Sequence, residues 1–335
     1  MLLSGHLMNQ SKNSLRGYRF TSGGGCEPIK EIGDLALIHN STTRFIWIDL
    51  SSCPEGETER ILKSEFKWHP TVLQHFRERS SRPRIAPYDG YSHITFHALR
   101  SGITGLNRAL TLEIDSVLGS NYLVTVHTEY SPDLDEVFHQ IPHASASLRG
   151  PDAVLHYLIQ TMIDRYIPTV DALDAKLTAL EQDALYRAHP PLLAKIVMAR
   201  DEVLELKHAL APQVQILVEL STESTEEIRS DTRNYFRISE QRLRQIMDDL
   251  VVYKEVAQNA LELYQSSITH RTNEIIRLLT VISTPLLVLT FLTGVYGMNV
   301  PLPGAHSPYA FVWICGVSVS LFIAMVYYFR KKKWF

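Results

Sequence analysis

The sequence predicts an α+β domain, a mixed sheet with flanking helices, followed by long stalk helices and two carboxyl-terminal transmembrane helices. Three observations predict it. Runs of β-branched and aromatic residues bounded by turn residues fill the chain up to about residue 145; apolar residues recur at three- and four-residue steps after Gly150-Pro151; and two apolar stretches, 278–295 and 309–329, close the sequence. Each stretch is close to the roughly 20 residues that a helix rising about 1.5 Å per residue needs to cross a hydrocarbon core.

Residues 1–27 contain Gly23-Gly24-Gly25 and no apolar core of signal-peptide type, and are expected to be a flexible amino-terminal tail. Residues 28–150 form the α/β domain. Strand patterns cover 45–50, 91–99, 109–118 and 122–128, helical patterns cover 58–66 and 71–79, and Asp89-Gly90 and Gly119-Ser120-Asn121 read as turns. The order of the strands is not readable.

Residues 151–224 are a helical pair. Ala153, Leu155, Leu158, Ile159, Met162 and Ile163 open the first stripe, His189-Pro190-Pro191 breaks it, and Pro191 starts the second helix because proline is tolerated in a first turn. Ser221-Thr222-Glu223-Ser224-Thr225 is the next break. From 225 to 295 the helical pattern meets no proline or glycine before Pro285, so a stalk runs straight into the first span, 278–295. Such a rod is about 100 Å long, more than three times the thickness of a hydrocarbon core. It needs a packed stripe along its length, and Leu243, Ile246, Leu250, Tyr253, Ala257, Ala260, Leu261 and Tyr264 supply near-heptad spacing. Self-association along this stripe is expected; the alternative is packing on the two preceding helices alone.

Composition excludes several classes. The net charge of −3 offers no basic stripe for nucleic acid. Cys26, Cys53 and Cys315 are too scattered for a disulfide framework or a zinc knuckle. His93 and His97, four apart on a strand, share a face but stand roughly 13 Å apart, too far for one ion, and read as sheet residues. No nucleophile–histidine arrangement and no Walker-type glycine loop is present, so no enzymatic activity and no resident cofactor is expected. Asp171, Asp174, Glu181, Asp183, Asp201, Glu202 and Glu205 read as a solvated helix face.

The hairpin returns the chain to the side it came from. Arg330, Lys331, Lys332 and Lys333 form a basic tail at 330–335, Arg271 and Arg277 precede the first span, and the loop 296–308 carries no charge beyond His306. The positive-inside rule then places both termini in the cytoplasm and the loop outside. On a seven-residue repeat, Asn273, Ile276, Thr280, Ser283, Leu287, Thr290, Gly294 and Gly297 share one face of the first span. Polar groups in hydrocarbon are costly unless paired or wet, so this face marks either a helix interface or a water-filled path.

Tyr296-Gly297-Met298-Asn299 ending the first of two spans, Thr272-Asn273-Glu274 before it, Tyr235-Phe236-Arg237 in the stalk, Arg82-Pro83-Arg84 ahead of a strand and the basic tail together resemble the CorA family of divalent-cation channels. The resemblance implies a funnel-shaped homopentamer in the cell (inner) membrane, its partners being the lipid bilayer and divalent cations. Five first spans would line the pore, with Gly297, Met298 and Asn299 as selectivity filter. Asn299 side-chain oxygens and Gly297 carbonyls would meet a hydrated ion at the outer mouth, since Mg²⁺ sheds its waters reluctantly. Thr280, Ser283 and Thr290 would add polar rings and Asn273 one near the cytoplasmic end, while Ile276, Leu279 and Leu287 correspond to the family's narrow apolar part. Arg330, Lys331, Lys332 and Lys333 would form a basic cytoplasmic ring. The unmodified Gly-Met-Asn triplet favours Mg²⁺ over Zn²⁺, Co²⁺ or Ni²⁺, with proton coupling left open, because zinc-transporting relatives vary its middle residue. A rival of another class is a membrane-tethered coiled-coil scaffold without a pore.

The chain departs from the family in two places. The regulatory acid that follows Tyr-Phe-Arg in well-known members is Ile238 here, and its partner turn, Ser101-Gly102-Ile103-Thr104-Gly105, has no carboxylate. Glu240 and Asp231 are the nearest substitutes. The outer loop, Val300 to His306, lacks the acids that collect cations in relatives.

Overall fold

The computed structural model describes residues 15–29, 41–51, 56–78, 82–100, 111–222, 225–298, 309–332 and 334. Seven strands, β1 (Leu15–Thr21), β2 (Cys26–Ile29), β3 (Thr43–Leu50), β4 (Arg84–Tyr88), β5 (Tyr91–Leu99), β6 (Thr111–Gly119) and β7 (Tyr122–His127), form one sheet in the order β2-β1-β3-β7-β6-β5-β4. The β3–β7 pair is parallel and every other pair antiparallel, so the sheet is mixed. A parallel pair needs a crossover, which here runs through α1 (Gly56–Phe66), α2 (Pro70–Glu78) and the β4–β6 meander.

The amino-terminal expectation is corrected. Residues 15–29 are a hairpin whose first strand pairs with β3, and Gly23-Gly24-Gly25 is its connection, with Gly24 at φ +86°. Gly17 permits this pairing, because a Cβ there would stand 2.3 Å from the Trp47 carbonyl oxygen. Asp89-Gly90 closes the β4–β5 hairpin between Tyr88 and Tyr91, with Gly90 at φ +78°.

Alternation along β3 sends Ile46, Ile48 and Leu50 to one face, against Leu62 of α1, Trp68 of the connection that follows it, and Val72 and Phe76 of α2. Trp47 points to the other face, where its ring lies 5.8 Å from Phe138 of α3 (Pro132–Ala144). None of the sequence patterns named above anticipates α3. Its start is nonetheless marked: the Ser131 hydroxyl accepts from the Leu134 amide at 3.3 Å, with Pro132 in the first turn and Asp133 and Asp135 behind it. Asp133 pairs with Arg165 of α4 (Pro151–Tyr186), and the Tyr166 hydroxyl of α4 donates to the His97 carbonyl. Helices thus cover both faces, which is why β5 is buried from end to end.

After α4 come α5 (Pro190–Ser221) and α6 (Ser230–Tyr296), a single helix of 67 residues, then α7 (Ala310–Lys331). Lys176 of α4 reaches Glu202 of α5 at 2.7 Å. The amino-terminal half of α6 lies along α4 through His156 Nε2 to Ser239 Oγ at 3.1 Å and Arg242 to Asp164 at 3.2 Å. Leu243, Ile246, Leu250, Ala257 and Ala260 are buried within the single chain. The chain's own packing thus covers these five positions of the stripe, and Tyr253, Leu261 and Tyr264 are half-buried.

The chain divides into two compact units: residues 1–181 with 194–259, and residues 182–193 with 260–335. The second unit holds both membrane-length apolar helices, with the Ser267 hydroxyl donating to the Ala184 carbonyl at 2.9 Å.

Candidate ion pathway in the membrane hairpin

Almost none of the first span's apolar window and none of the second's is fully buried by the rest of the chain. What is covered on the first span is narrow. Val281, Thr284, Val288, Leu289, Leu292 and Val295 are half-buried and Pro285 is buried, a stripe at helical period. At about 100° per residue, Ile276, Ser283, Leu287, Thr290 and Gly294 fall on the opposite side of the helix, and all five are exposed. Asn273 and Leu279 are exposed as well, and Thr280 is half-covered at the margin. Leu278, Ile282, Leu286, Phe291 and Thr293 are exposed too, so the face assigned from the seven-residue repeat is one part of what the chain's own contacts leave open. Sequence reasoning missed the covered stripe, although Pro285 with branched residues at 281, 284, 288 and 295 could have marked it. α7 likewise has one covered stripe, Ile314, Val317, Ser318, Met325, Val326 and Phe329.

Three threonine hydroxyls on the first span are pinned. Thr280 donates to the Ile276 carbonyl at 2.8 Å, Thr290 to Leu286 at 2.8 Å, and Thr293 to Leu289 at 3.0 Å. A hydroxyl whose proton is committed to its own helix keeps lone pairs free to accept. A hydrated cation presents only water hydrogens outward, so acceptors are what a wet path for it requires.

Tyr296 is the last helical residue, the Gly297 amide bonds the Thr293 carbonyl at 2.9 Å, and the Met298 amide the Val295 carbonyl at 3.3 Å. A Cβ on Gly297 would sit 3.0 Å from the Thr293 oxygen, and none on Gly294 would meet anything within 4 Å. Met298 is exposed. Asn299, the Ser101–Gly105 turn, His306 and Lys333 lie outside the described residues. Arg330, Lys331 and Lys332 are exposed in the last turn of α7 and just beyond it.

Among the described residues no three His, Cys, Asp or Glu side chains gather as metal ligands. The tempting histidines are structural: His93 Nε2 lies 3.0 Å from Asp115 Oδ1, which also accepts from Thr95 at 2.7 Å, and burial pushes the His97 imidazole pKa down. A cavity of about 630 Å³ near the ends of β5 and β7 is lined by His97, Arg100, Glu129, Glu205 and His208 among others, charges of both signs. Ile238 is exposed, Glu240 is engaged by Arg244, and Asp231 accepts from the Thr232 amide at 3.2 Å.

A mixed-sheet domain flanked by helices, continued by long helices into a two-span apolar hairpin, defines a class of multi-pass membrane transport protein. The chain belongs to the CorA family: the family model described as "CorA-like Mg2+ transporter protein" matches residues 42–331. It is therefore a divalent-cation transporter of the CorA and ZntB superfamily and not an enzyme. The cobalt/magnesium transport protein CorA of Thermotoga maritima is 24% identical over 291 residues, 86% of this chain and 83% of that protein. The zinc transport protein ZntB of Pectobacterium atrosepticum is 21% identical over 332 residues, 97% of each. The solved CorA magnesium transporter of Methanocaldococcus jannaschii superposes with a TM-score of 0.81 at 21% identity, covering 97% of this chain and 100% of that one, which shows the shared fold.

Proposed function

We propose that the chain is a Mg²⁺ channel acting as a homopentamer in the cell membrane, with both termini in the cytoplasm. Five first spans surround a wet axis, and Gly297, Met298 and Asn299 form the outer ring that meets the ion with its water shell. The observation that carries this reading is the open face of the first span. It opposes the covered stripe and bears Ser283, Thr290 and Gly294, with the Thr290 proton already given to the Leu286 carbonyl. Ile276, Leu279 and Leu287 on the same side supply apolar rings that stop conduction by drying the pore. Neutral oxygens suit Mg²⁺ here, because a carboxylate cage would strip or trap it.

A second reading, zinc transport coupled to protons, is favoured by the zinc transport protein ZntB, which aligns with this chain over 97% of both. The intact Gly-Met-Asn triplet favours Mg²⁺ instead. Ion uptake into liposomes separates them. Mg²⁺ is expected to enter without a pH gradient, and Asn299→Ala to reduce that entry at least tenfold. Zn²⁺ entry that requires a pH gradient would establish the second reading, and no entry of any ion would leave a scaffold.

A further inference from the structure

The turn that follows α7 is folded, and it gathers cations without side-chain acids. The Lys332 amide bonds the Tyr328 carbonyl at 3.1 Å as the last helical bond, and the Trp334 amide bonds the Phe329 carbonyl at 3.1 Å, which brings Trp334 back onto the helix end. The Trp334 ring lies 5.4 Å from that of Phe329, which is buried, and the Lys332 ammonium stands 5.5 Å from the Tyr328 ring centroid. Arg330, Lys331 and Lys332 are all exposed, and among the described residues none has a carboxylate partner. No Asp or Glu follows Glu274 in the sequence. Tyr327 and Tyr328 are exposed on the last turn of the span, where amphipathic rings sit at headgroup level. Three consecutive cations, Arg330 and Lys331 on the last turn of α7 and Lys332 at its cap, thus stand beside two exposed tyrosines.

We propose that this cap is a binding site for an anionic phospholipid headgroup. The Arg330 guanidinium matches two phosphate oxygens at once, Lys331 and Lys332 add point charges, and Trp334 and Tyr327 seat among the glycerol and carbonyl groups below. The helix end and a fold-back held by the Trp334 amide and its ring contact with Phe329 make the site preorganised, unlike a loose basic tail. The proposal needs only the membrane hairpin, and neither the pore nor the identity of the ion enters it.

Native mass spectrometry of the full chain in detergent, titrated with phosphatidylglycerol or phosphatidylcholine, tests it. The wild type is expected to retain phosphatidylglycerol in preference, and each cation removed by Arg330→Gln, Lys331→Gln or Lys332→Gln to weaken retention about fivefold. The charge-conserving triple variant Arg330→Lys, Lys331→Arg, Lys332→Arg should keep the preference. Free inorganic phosphate should not compete at the same molar excess. Equal retention of both lipids by the wild type, an unchanged preference in the triple Gln variant, or displacement by phosphate would overturn the site. So would a triple Gln variant whose only change is faster cation entry into neutral-lipid vesicles, because the cations would then be facing the pore.

Discussion

Asp49 is the most constrained charge in the mixed-sheet domain. It accepts from Arg16 of β1 at 2.8 Å and from Thr125 of β7 at 2.7 Å, with His127 Nε2 at 3.5 Å, so one carboxylate ties β1, β3 and β7 together. Burial alone would raise its pKa, but the hydrogen bond and charge of His127, with the Arg16 charge and the Thr125 hydroxyl, hold it below the usual carboxylate value. Burial alone would lower the His127 pKa, and the Asp49 hydrogen bond and charge, with the Glu129 carbonyl, hold it above the usual imidazole value. These shifts act on opposite sides of neutrality. The depressed Asp49 contributes stability that is present above about pH 4 and is lost as pH falls through its folded pKa. The raised His127 contributes stability that is full below about pH 6.5 and is lost as pH rises through its folded pKa. Thermal unfolding of the detergent-solubilised chain should therefore show a midpoint that declines as pH rises above about 6.5. His127→Gln should flatten that decline, and Asp49→Ala should destabilise by about 3–5 kcal/mol, since it strands buried partners. A His127→Gln variant that keeps the wild-type alkaline slope would place the titration elsewhere.

At the scale of elements, what the sequence announces and what it conceals have separate physical causes. β5, α4, α6 and the Asp89-Gly90 turn are readable because period, length and turn chemistry are local properties. The β1–β2 hairpin is not, because three consecutive glycines look alike in a frayed tail and in a turn, and only the pairing of Gly17 with Ile48 across β3 distinguishes them. α3 is legible only in the short cap signal Ser131-Pro132-Asp133, which strand-rich neighbours on its amino-terminal side obscure. Period shows that the stripe from Leu243 to Ala260 must be covered, but not by what. On the first span the same period finds an open face, and the mouth at Asn299 rests on the motif. The exposed Ile238 and the engaged Glu240 leave the described part of α6 without a free acid at the family's regulatory position. Closure by cytosolic Mg²⁺ is accordingly expected to be weak. Flux through purified, reconstituted protein at millimolar Mg²⁺ on the cytosolic side should fall less than twofold, and Ile238→Asp should increase that inhibition. Full closure of the wild type together with no effect of Ile238→Asp would remove the argument.

For the whole molecule, the decisive fact is where charge is missing. No Asp, Glu, Lys or Arg lies between residues 278 and 329, so the spans contain no carboxylate to relay protons. The sequence also lacks a Walker-type loop for ATP. We propose the membrane potential as the source of work. Moving one charge through 100 mV yields about 2.3 kcal/mol, so a divalent ion gains about 4.6 kcal/mol, enough for roughly 10³-fold accumulation at equilibrium. Vesicles holding the reconstituted chain, polarised inside-negative by a potassium gradient and an ionophore, should take up Mg²⁺ well beyond the outside concentration. Abolishing the potential at constant pH should let the ion equilibrate and no more, and a pH gradient alone should add nothing. The outcome does not depend on which divalent cation is physiological or on how many chains surround the axis. Accumulation that follows the pH gradient and ignores the potential would mean that protons cross with the ion along groups outside the span sequence, and the passive mechanism would fail.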